Sequence, residues 1–524
     1  MNVTADMGAL GPEVLIVGAG AVGLALGIEL ARGGRRVLIV EAGGPDPDVN
    51  FQTTNGGRSA GRTHNGLSEG RMKALGGTTR LWGGQLVPFG MRDFDGAAPD
   101  GTHYWPVRHA EIAPWIAAAF RFLGIGEEGS DPDAVWQRVT GLPSDMGPNL
   151  RLGMNIWLPQ PDFTRLFAQD LAGLIGLTVL TDSVVERLLF EGEQGVVTGV
   201  ETLDKDGKRH RHVAPAVVLA NGTLEIAGLL LRTAATQPAS GFSDNTNIGR
   251  GFIDHLHGTA GRVVLANHKR AADLFDNVYF ERRKYGVKLR ALDEFRAKTG
   301  ISNCAAMVVA PSNVGTMVRD LATLARRLVK RPARGELAKS IGQAVTLSRI
   351  IVPLAFRYIV QRRSTSLLSQ GAMLWVEAEQ VPTPESYIML EADQPPETAG
   401  LVLHWALDGR EIDAIATFCA EVKTQFEQAG LGTVEIDPRI TARDPAFLDT
   451  MHDSYHQMGG ARMAEGPAEG VVDRDLKVFG TRNLYVLGAA AYPTGSFANP
   501  TLTAIAFAMR LAEHLTRAIP AVAA

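Results

Sequence analysis

Cysteine is scarce in this chain: Cys304 and Cys419 are the only two, far apart and without C-x-x-C spacing. That excludes a zinc ribbon or a dithiol redox pair, and two reduced, buried thiols are expected rather than a disulfide. Positive charge is not in excess either. A net charge of −4 argues against a nucleic-acid partner, because binding a phosphate backbone draws on a clustered basic surface, with one local exception further along the chain. The N-terminus, MNVTADMGALGPEVLIVGAG, has neither a basic leader nor a twin arginine ahead of an apolar stretch. Its hydrophobic run belongs to a strand, so a cytoplasmic protein is expected. Glycine, by contrast, is plentiful. The 58 glycines are roughly 11% of the chain against an average of about 7%, as many close approaches of backbone to a large ligand would require. With 45% hydrophobic and 21% charged residues the composition is that of ordinary globular protein, and the length suggests about two to four units.

The first informative stretch is a β-branched apolar run ending at Gly18-Ala19-Gly20-Ala21-Val22-Gly23, followed by Leu24, Leu26, Ile28 and Leu30 at helical spacing, and by a second apolar run, Arg36 to Val40, that ends in Glu41. This is a βαβ dinucleotide fingerprint in its full context. Gly18 serves the tight turn, Gly20 the approach of backbone to a pyrophosphate, and Gly23 the packing of helix on strand. Glu41 stands where a carboxylate accepts from the ribose hydroxyls of an adenosine. The motif predicts a bound ADP moiety and leaves open whether it belongs to NAD or FAD.

After Gly56-Gly57 in a polar loop comes Gly76-Gly77-Thr78-Thr79-Arg80-Leu81-Trp82-Gly83-Gly84-Gln85. Paired glycines around Thr-Thr and Trp suit backbone laid flat against a planar ligand; a glycine-rich surface loop with Trp82 packed into the core explains them equally well. The fingerprint with VLIVEAGG, the GGTTRLWGG segment and the C-terminal NPTLTAIAFAMRLAEHL together resemble the glucose–methanol–choline (GMC) family of FAD-dependent alcohol oxidoreductases. Within it they are most similar to the branch of pyranose 2-oxidases and bacterial glycoside 3-oxidases and dehydrogenases. The likeness covers roughly residues 13–95, 213–256 and 452–517 and is weak over most of the middle. It implies FAD held in part by Gly77, Thr78, Trp82, Gly83 and Gly84. Some pyranose oxidases attach the flavin through a histidine in this segment; here Leu81 precedes Trp82 and no histidine is present, so noncovalent FAD is expected.

In the middle, Leu177–Val179 and Ser183–Phe190 read as short strands, and His210–Thr233 as a strand turning into a helix at Asn221-Gly222-Thr223. The resemblance implies that this strand returns to the nucleotide domain with Ala220 at the cofactor, and that Val184 or Val185, with Val185 preferred, meets adenine through its backbone. Asp254 and His255 read as structural. From Arg319 to Arg363, eleven Arg and Lys residues are interleaved with apolar runs against only Asp320 and Glu336. A solvated basic face explains this, as does peripheral contact with an anionic membrane or a partner helix; no apolar stretch there is long enough to span a bilayer. Leu374–Ala378, Tyr387–Glu391 and Leu401–Leu407 are expected as strands of one antiparallel sheet roofing the flavin, with Ile412–Gln428 an amphipathic helix on its far side.

Oxidising an alcohol with a flavin requires a base at the hydroxyl while a hydride leaves carbon for flavin N5. A histidine suits this, being largely neutral at pH 7. His456, in HDSYHQMGGARM, is the candidate, with Gly459 and Gly460 expected to let its turn approach the ring. Alone, a histidine in a Gly-rich turn has a structural explanation; its spacing to Asn499-Pro500-Thr501 and the resemblance point to catalysis. Asn at an N-cap with Pro next is an ordinary helix start, but a helix opening at Pro500 and Thr501 would also offer N–H groups and a positive dipole to charge growing on a reduced ring. In the family an Asn or His here joins the upstream His at the substrate hydroxyl, and Asn499 matches the Asn form. In related flavoproteins the position of Gly488 touches the pyrophosphate or ribityl chain, often with Asp next; Ala489 departs from that and would contribute only a backbone N–H.

The sequence therefore predicts an α/β protein with an α+β substrate domain. A Rossmann-like FAD-binding domain comprises residues 10–95, 180–256 and 452–520, and a substrate-binding domain 96–179 and 257–451, including a basic helical insertion at about 315–365. Its expected activity is FAD-dependent oxidation of a secondary alcohol of a sugar or glycoside to a ketone, with oxygen or another acceptor reoxidising the flavin and no metal. A non-sugar alcohol as substrate, or a silent flavoprotein docking through its basic insertion, is the alternative.

Overall fold

The computed structural model describes residues 11–519 apart from 53–55, 99–100, 127–128, 130, 193 and 311–370. The basic insertion lies outside the described residues. The two β-branched runs VLIV at Val14–Val17 and Val37–Val40 are wholly buried strands, as expected of the centre of a parallel sheet covered on both faces. Between them runs the helix Ala21–Arg32. Five strands line up in the order Leu484–Val486, Ala216–Leu219, Val14–Val17, Val37–Val40, Leu177–Leu180, every pairing parallel. The C-terminal helix Pro500–Ala518 packs on the first helix and on His109–Phe122, which brings the two ends of the chain together.

A second, ten-stranded sheet carries along its main path Gly432–Ile436, His255–Leu265, Ala372–Glu379, Cys304–Val309, Arg283–Ala291, Leu150–Trp157 and Gln85–Leu86. The helix Arg410–Gln428 lies against one face. That face is apolar, with Leu152, Met154, Leu289, Ala306, Leu374 and Val376 buried beneath Phe418 and Phe426.

Three expectations are corrected. The strand Leu177–Leu180 pairs with Val37–Val40, so the boundary drawn at residue 180 cuts off part of the nucleotide sheet. Arg58–Gly61 and Gln85–Leu86, placed with the nucleotide domain, pair instead with Leu401–Trp405 and Leu150–Trp157. Nor do the three roof strands share a sheet: Ala372–Glu379 enters the large one, while Tyr387–Leu390 and Leu401–Trp405 form a small sheet with Arg58–Gly61. Alternation of apolar and polar residues assigns a strand its faces but not its partner.

Candidate active site

A cavity of about 830 Å³ runs from Gly18, Gly20 and Glu41 at one end to His456 and Asn499 at the other. At the first end, Gly18 holds a φ of +100° and passes so close to the 220–221 backbone that a Cβ would fall 2.7 Å from the Asn221 Cα. Space over Gly20 is open, and the helix that follows has no capping side chain, so its first-turn amides are available to an anion. Gly23 lies off the cavity, where a Cβ would overlap the Gly18 carbonyl; it serves helix packing, as expected. Glu41 is buried, its oxygens accepting from Ala19 N at 2.8 Å and Gly43 N at 2.9 Å. Burial pushes its carboxyl up to about 7 against those two hydrogen bonds. Each oxygen retains a lone pair for a ligand hydroxyl.

Along the wall lie Gly77, Thr78, Trp82, Gly83, Val185, Ala220, Gly488, Ala489, Pro500 and Thr501. Trp82 satisfies both of its readings: its Nε1 donates to the Pro161 carbonyl at 2.9 Å and its ring meets Phe163 edge-on, while the residue also lines the cavity. Gly84 does not line it. At a φ of +76° it turns the chain against Pro161 and Leu158. Sequence reasoning missed Arg71 and Lys73, wall residues beside Glu225, because one basic residue in a loop looks like any other. It also passed over Asn221 as a site residue. That side chain lines the cavity with a buried Oδ1 lacking a partner among the described residues, and the signal was its place between a parallel strand and a helix.

At the second end, Asp254 gathers donors. It accepts from His64 Nε2 at 3.1 Å and, through Oδ1, from the amides of His255, Ser454 and His456 and from Ser454 Oγ at 3.0 Å. Burial would raise this carboxyl, but the hydrogen bond from His64 and the neighbouring imidazoles outweigh it and hold it at about 2. His64, Asp254 and Asp453 stand close enough to hold an ion, yet Asp453 is engaged by Asn65 and Gly66, and the three form a hydrogen-bonded hub. From that hub Ser454 Oγ reaches His456 Nδ1 at 2.8 Å, and His255 Nδ1 stands 3.1 Å from the same atom. On the other side of the ring, Asn499 Nδ2 lies 3.0 Å from His456 Nε2. Asn499 occupies the N-cap position without capping the helix, so its amide is free of that duty and rests against the histidine. Burial lowers the His456 imidazole below its usual value against the pull of Asp254, and burial puts His255 well below; both are neutral at pH 7.

The loop that delivers Asn499 is braced from beneath. Ser496 Oγ donates to Asp93 at 2.8 Å, Asn303 Nδ2 bridges Asp93 and Ser496, and Trp105 Nε1 donates to Thr494 Oγ1 at 2.7 Å. Gly459 and Gly460 lie off the cavity that Ser454 to Gln457 line. Their φ values of +78° and +80° pack the turn against residues 249–252, where a Cβ on Gly459 would overlap the Gly251 carbonyl.

Residues 13–246 match the profile of the FAD dependent oxidoreductases, and residues 382–508 that of the GMC oxidoreductases. The chain belongs to the GMC oxidoreductase family. It is similar to the fructose dehydrogenase large subunit of Gluconobacter japonicus, 21% identical over 97% of this chain and 98% of that one. Paromamine 6'-oxidase of Streptomyces fradiae is 23% identical over 96% and 90%. Among solved structures, pyridoxine 4-oxidase from Mesorbium loti superposes with a TM-score of 0.59 at 18% identity, over 97% of this chain and 99% of that one. The protein is thus an FAD-dependent oxidoreductase acting on alcohol groups. Among the described residues, no helix is long and apolar enough to cross a membrane.

Proposed function

We propose that this GMC protein oxidises a secondary alcohol of a sugar or glycoside to the ketone, with His456 as base and Asn499 positioning the hydroxyl. The contact between His456 Nε2 and Asn499 Nδ2 carries this reading, because it sits in the same cavity as the dinucleotide turn. The cavity suits FAD: open space over Gly20, an uncapped helix start and the orphaned Asn221 Oδ1 are each answered by a pyrophosphate or a polyhydroxylated chain. Leu81 and Trp82 stand where a covalent link would need a histidine, so the cofactor is held noncovalently. The relatives named for fructose and paromamine support the substrate class.

When bound, FAD supplies at N5 the acceptor for the hydride leaving the carbinol carbon, and oxygen or another acceptor reoxidises it. On binding, the substrate hydroxyl replaces the Asn499 N–H at the single lone pair of His456 Nε2 and passes its proton there, while Asn499 Nδ2 donates to the hydroxyl oxygen. With the Asn499 amide N–H directed at Nε2, the resting ring carries its proton on Nδ1 and donates it to Ser454 Oγ, whose own hydroxyl donates to Asp254. That chain fixes the tautomer the base requires and sets a buried carboxylate behind the imidazolium that forms. Ser454 and Asp254 are positioning residues in this scheme. Anaerobic addition of methyl β-D-glucopyranoside and related glycosides should bleach the flavin of the parent protein; a His456→Ala variant that kept FAD and bleached at the parent rate would remove His456 from the mechanism.

A further inference from the structure

His255, which reads from sequence as structural, carries a cost that a packing residue would avoid. It opens the strand His255–Leu265 and is 2% exposed, and its Nε2 is buried without a hydrogen-bond partner among the described residues. That nitrogen faces the Gly495 turn, where a Cβ would stand 3.7 Å from it at ordinary contact. A leucine would fill such a place without stranding a polar atom, and native proteins rarely tolerate one unless it serves a function. The other ring nitrogen supplies the reason. His255 Nδ1 stands 3.1 Å from His456 Nδ1, with the rings edge to face at 71° and their centroids 5.0 Å apart.

The backbone builds this contact in. Ile253 and Met458 exchange both of their amide bonds, and Leu256 and His257 pair with Asp453 and His452, so the two segments run antiparallel with the histidines between those pairs. One oxygen, Asp254 Oδ1, accepts from His255 N at 2.7 Å and from His456 N at 3.0 Å. Two ring nitrogens that face each other share one proton, and their surroundings decide which ring carries it. Asp254 is held as a carboxylate and can only accept, so Ser454 Oγ donates to it and turns a lone pair toward His456 Nδ1. On the far side of the ring, Asn499 Nδ2 lies 3.0 Å from His456 Nε2. Both neighbours put the proton on His456 Nδ1. His255 is left with a bare Nδ1 and its own proton on Nε2.

We propose that His255 is a positioning residue for the oxidation: its Nδ1 accepts from His456 Nδ1–H alongside Ser454 Oγ, keeping His456 Nε2 bare and giving the imidazolium formed there a second acceptor. One N–H shared between two acceptors is an ordinary three-centre bond. Because a charged N–H donates more strongly than a neutral one, the second acceptor favours the protonated ring and strengthens the base. Burial keeps His255 uncharged, so it takes the hydrogen bond without taking the proton. The other charged groups acting on the two rings are Asp254 and Glu377 of one sign and Lys288 of the other, with the His257 ring beside them. The inference rests on His456 as the base and names the group that fixes which of its nitrogens is free.

Nitrogen NMR of the FAD-loaded protein, with its histidines labelled with ¹⁵N, reads the two tautomers without any substrate. The signals of His456 and His255, assigned by their loss from His456→Ala and His255→Asn, should show opposite tautomers at pH 7, with the proton on Nδ1 of His456 and on Nε2 of His255. Like tautomers, or the reversed pair, would overturn the inference whatever the substrate. Anaerobic flavin reduction by methyl β-D-glucopyranoside, with cyclohexanol as a non-sugar secondary alcohol, tests the role. His255→Leu should slow reduction by about tenfold and move the acid limb of kcat/KM to lower pH, since the imidazolium has lost an acceptor. His255→Asn, whose Oδ1 can stand in for Nδ1, should recover most of the rate and the parent profile. A merely structural histidine would instead lower FAD content and melting temperature in both variants and leave the profile of the loaded enzyme in place, and that result would overturn the inference while leaving His456 as the base. A parent protein reduced by cyclohexanol but by no glycoside would strike the sugar reading and not this one.

Discussion

The two ends of the cavity are built by different means. The nucleotide end is backbone: one continuous stretch, residues 13–41, supplies the turn, the helix start and Glu41, and what matters at Gly18, Gly20 and Gly23 is the absence of a side chain. The proposed catalytic end is side chain throughout. His64, Asp254, His255, Ser454, His456 and Asn499 come from four separate stretches and meet in one hydrogen-bonded cluster. Backbone recognition is intolerant of an added atom and indifferent to polarity; the cluster tolerates changes in bulk and depends on which atom carries a proton.

The sharpest test of that contrast exchanges the two phenotypes. His456→Ala should retain FAD and lower the rate of flavin reduction by about 10²- to 10⁴-fold, the usual range for a general base, read in anaerobic stopped-flow. Gly23→Ala does the reverse. One methyl group there overlaps the Gly18 carbonyl, so the helix must shift; a cost of about 1–3 kcal/mol should appear as a lower melting temperature and reduced FAD content per mole of protein. Any enzyme that does retain FAD should turn over near the parent rate. An FAD-free His456→Ala, or a Gly23→Ala that is loaded but slow, would erase the distinction between the ends.

A smaller effect is expected from pH. Because burial lowers His456 below its usual value, the neutral base is already fully present at pH 7. The value of kcat/KM should therefore be level above pH 6.5 and fall by about tenfold per unit once pH drops below the lowered pKa. Stability responds to pH through groups of opposite sign. Below pH 6.5 the unfolded chain binds protons that buried His255 and His456 refuse, while buried Glu41, Glu379 and Glu411, raised to about 7, take up protons in the folded state and oppose that loss; the Asp254 contribution is lost as pH falls from the ordinary carboxylate range to about 2. A kcat/KM profile still rising between pH 7 and 8 would place the titrating base elsewhere.

What the sequence disclosed follows the same division. A dinucleotide turn is local, so glycine spacing with its flanking strands and terminal acid was readable directly; of the single strand expected from His210, Ala216–Leu219 enters the parallel sheet, while Arg209–Val213 pairs in a separate antiparallel one. His456 and Asn499 were proposed as a pair from their spacing and the family resemblance, because each motif alone has an ordinary structural explanation. The partners of His456 were not. Ser454 is one serine among many, and Asp254 read as a structural acid because nothing in its neighbourhood announces that Ser454 and His456 will fold onto it from about 200 residues away. Sheet membership failed for a related reason: Arg58–Gly61 finds its partner in Leu401–Trp405, and no period-2 pattern carries that information.

The finest probe of the comparison is Asn499, which stands where backbone and side-chain logic meet. By position it is an N-cap, and an Asn whose amide caps a helix typically contributes about 1 kcal/mol. Here the side chain makes no capping bond and lies 3.0 Å from His456 Nε2 instead, while Pro500 fixes the first helical φ without it. Asn499→Ala should therefore leave the melting temperature nearly unchanged and slow flavin reduction by about tenfold, one lost hydrogen bond at the reacting hydroxyl. Asn499→Asp should be worse for rate than Ala, since a carboxylate beside Nε2 cannot donate to it and favours the protonated ring, moving the kcat/KM profile to higher pH. If Asn499→Ala instead melted early and reduced flavin normally, the amide would be a cap after all, and the catalytic end would rest on His456 and the groups behind its Nδ1.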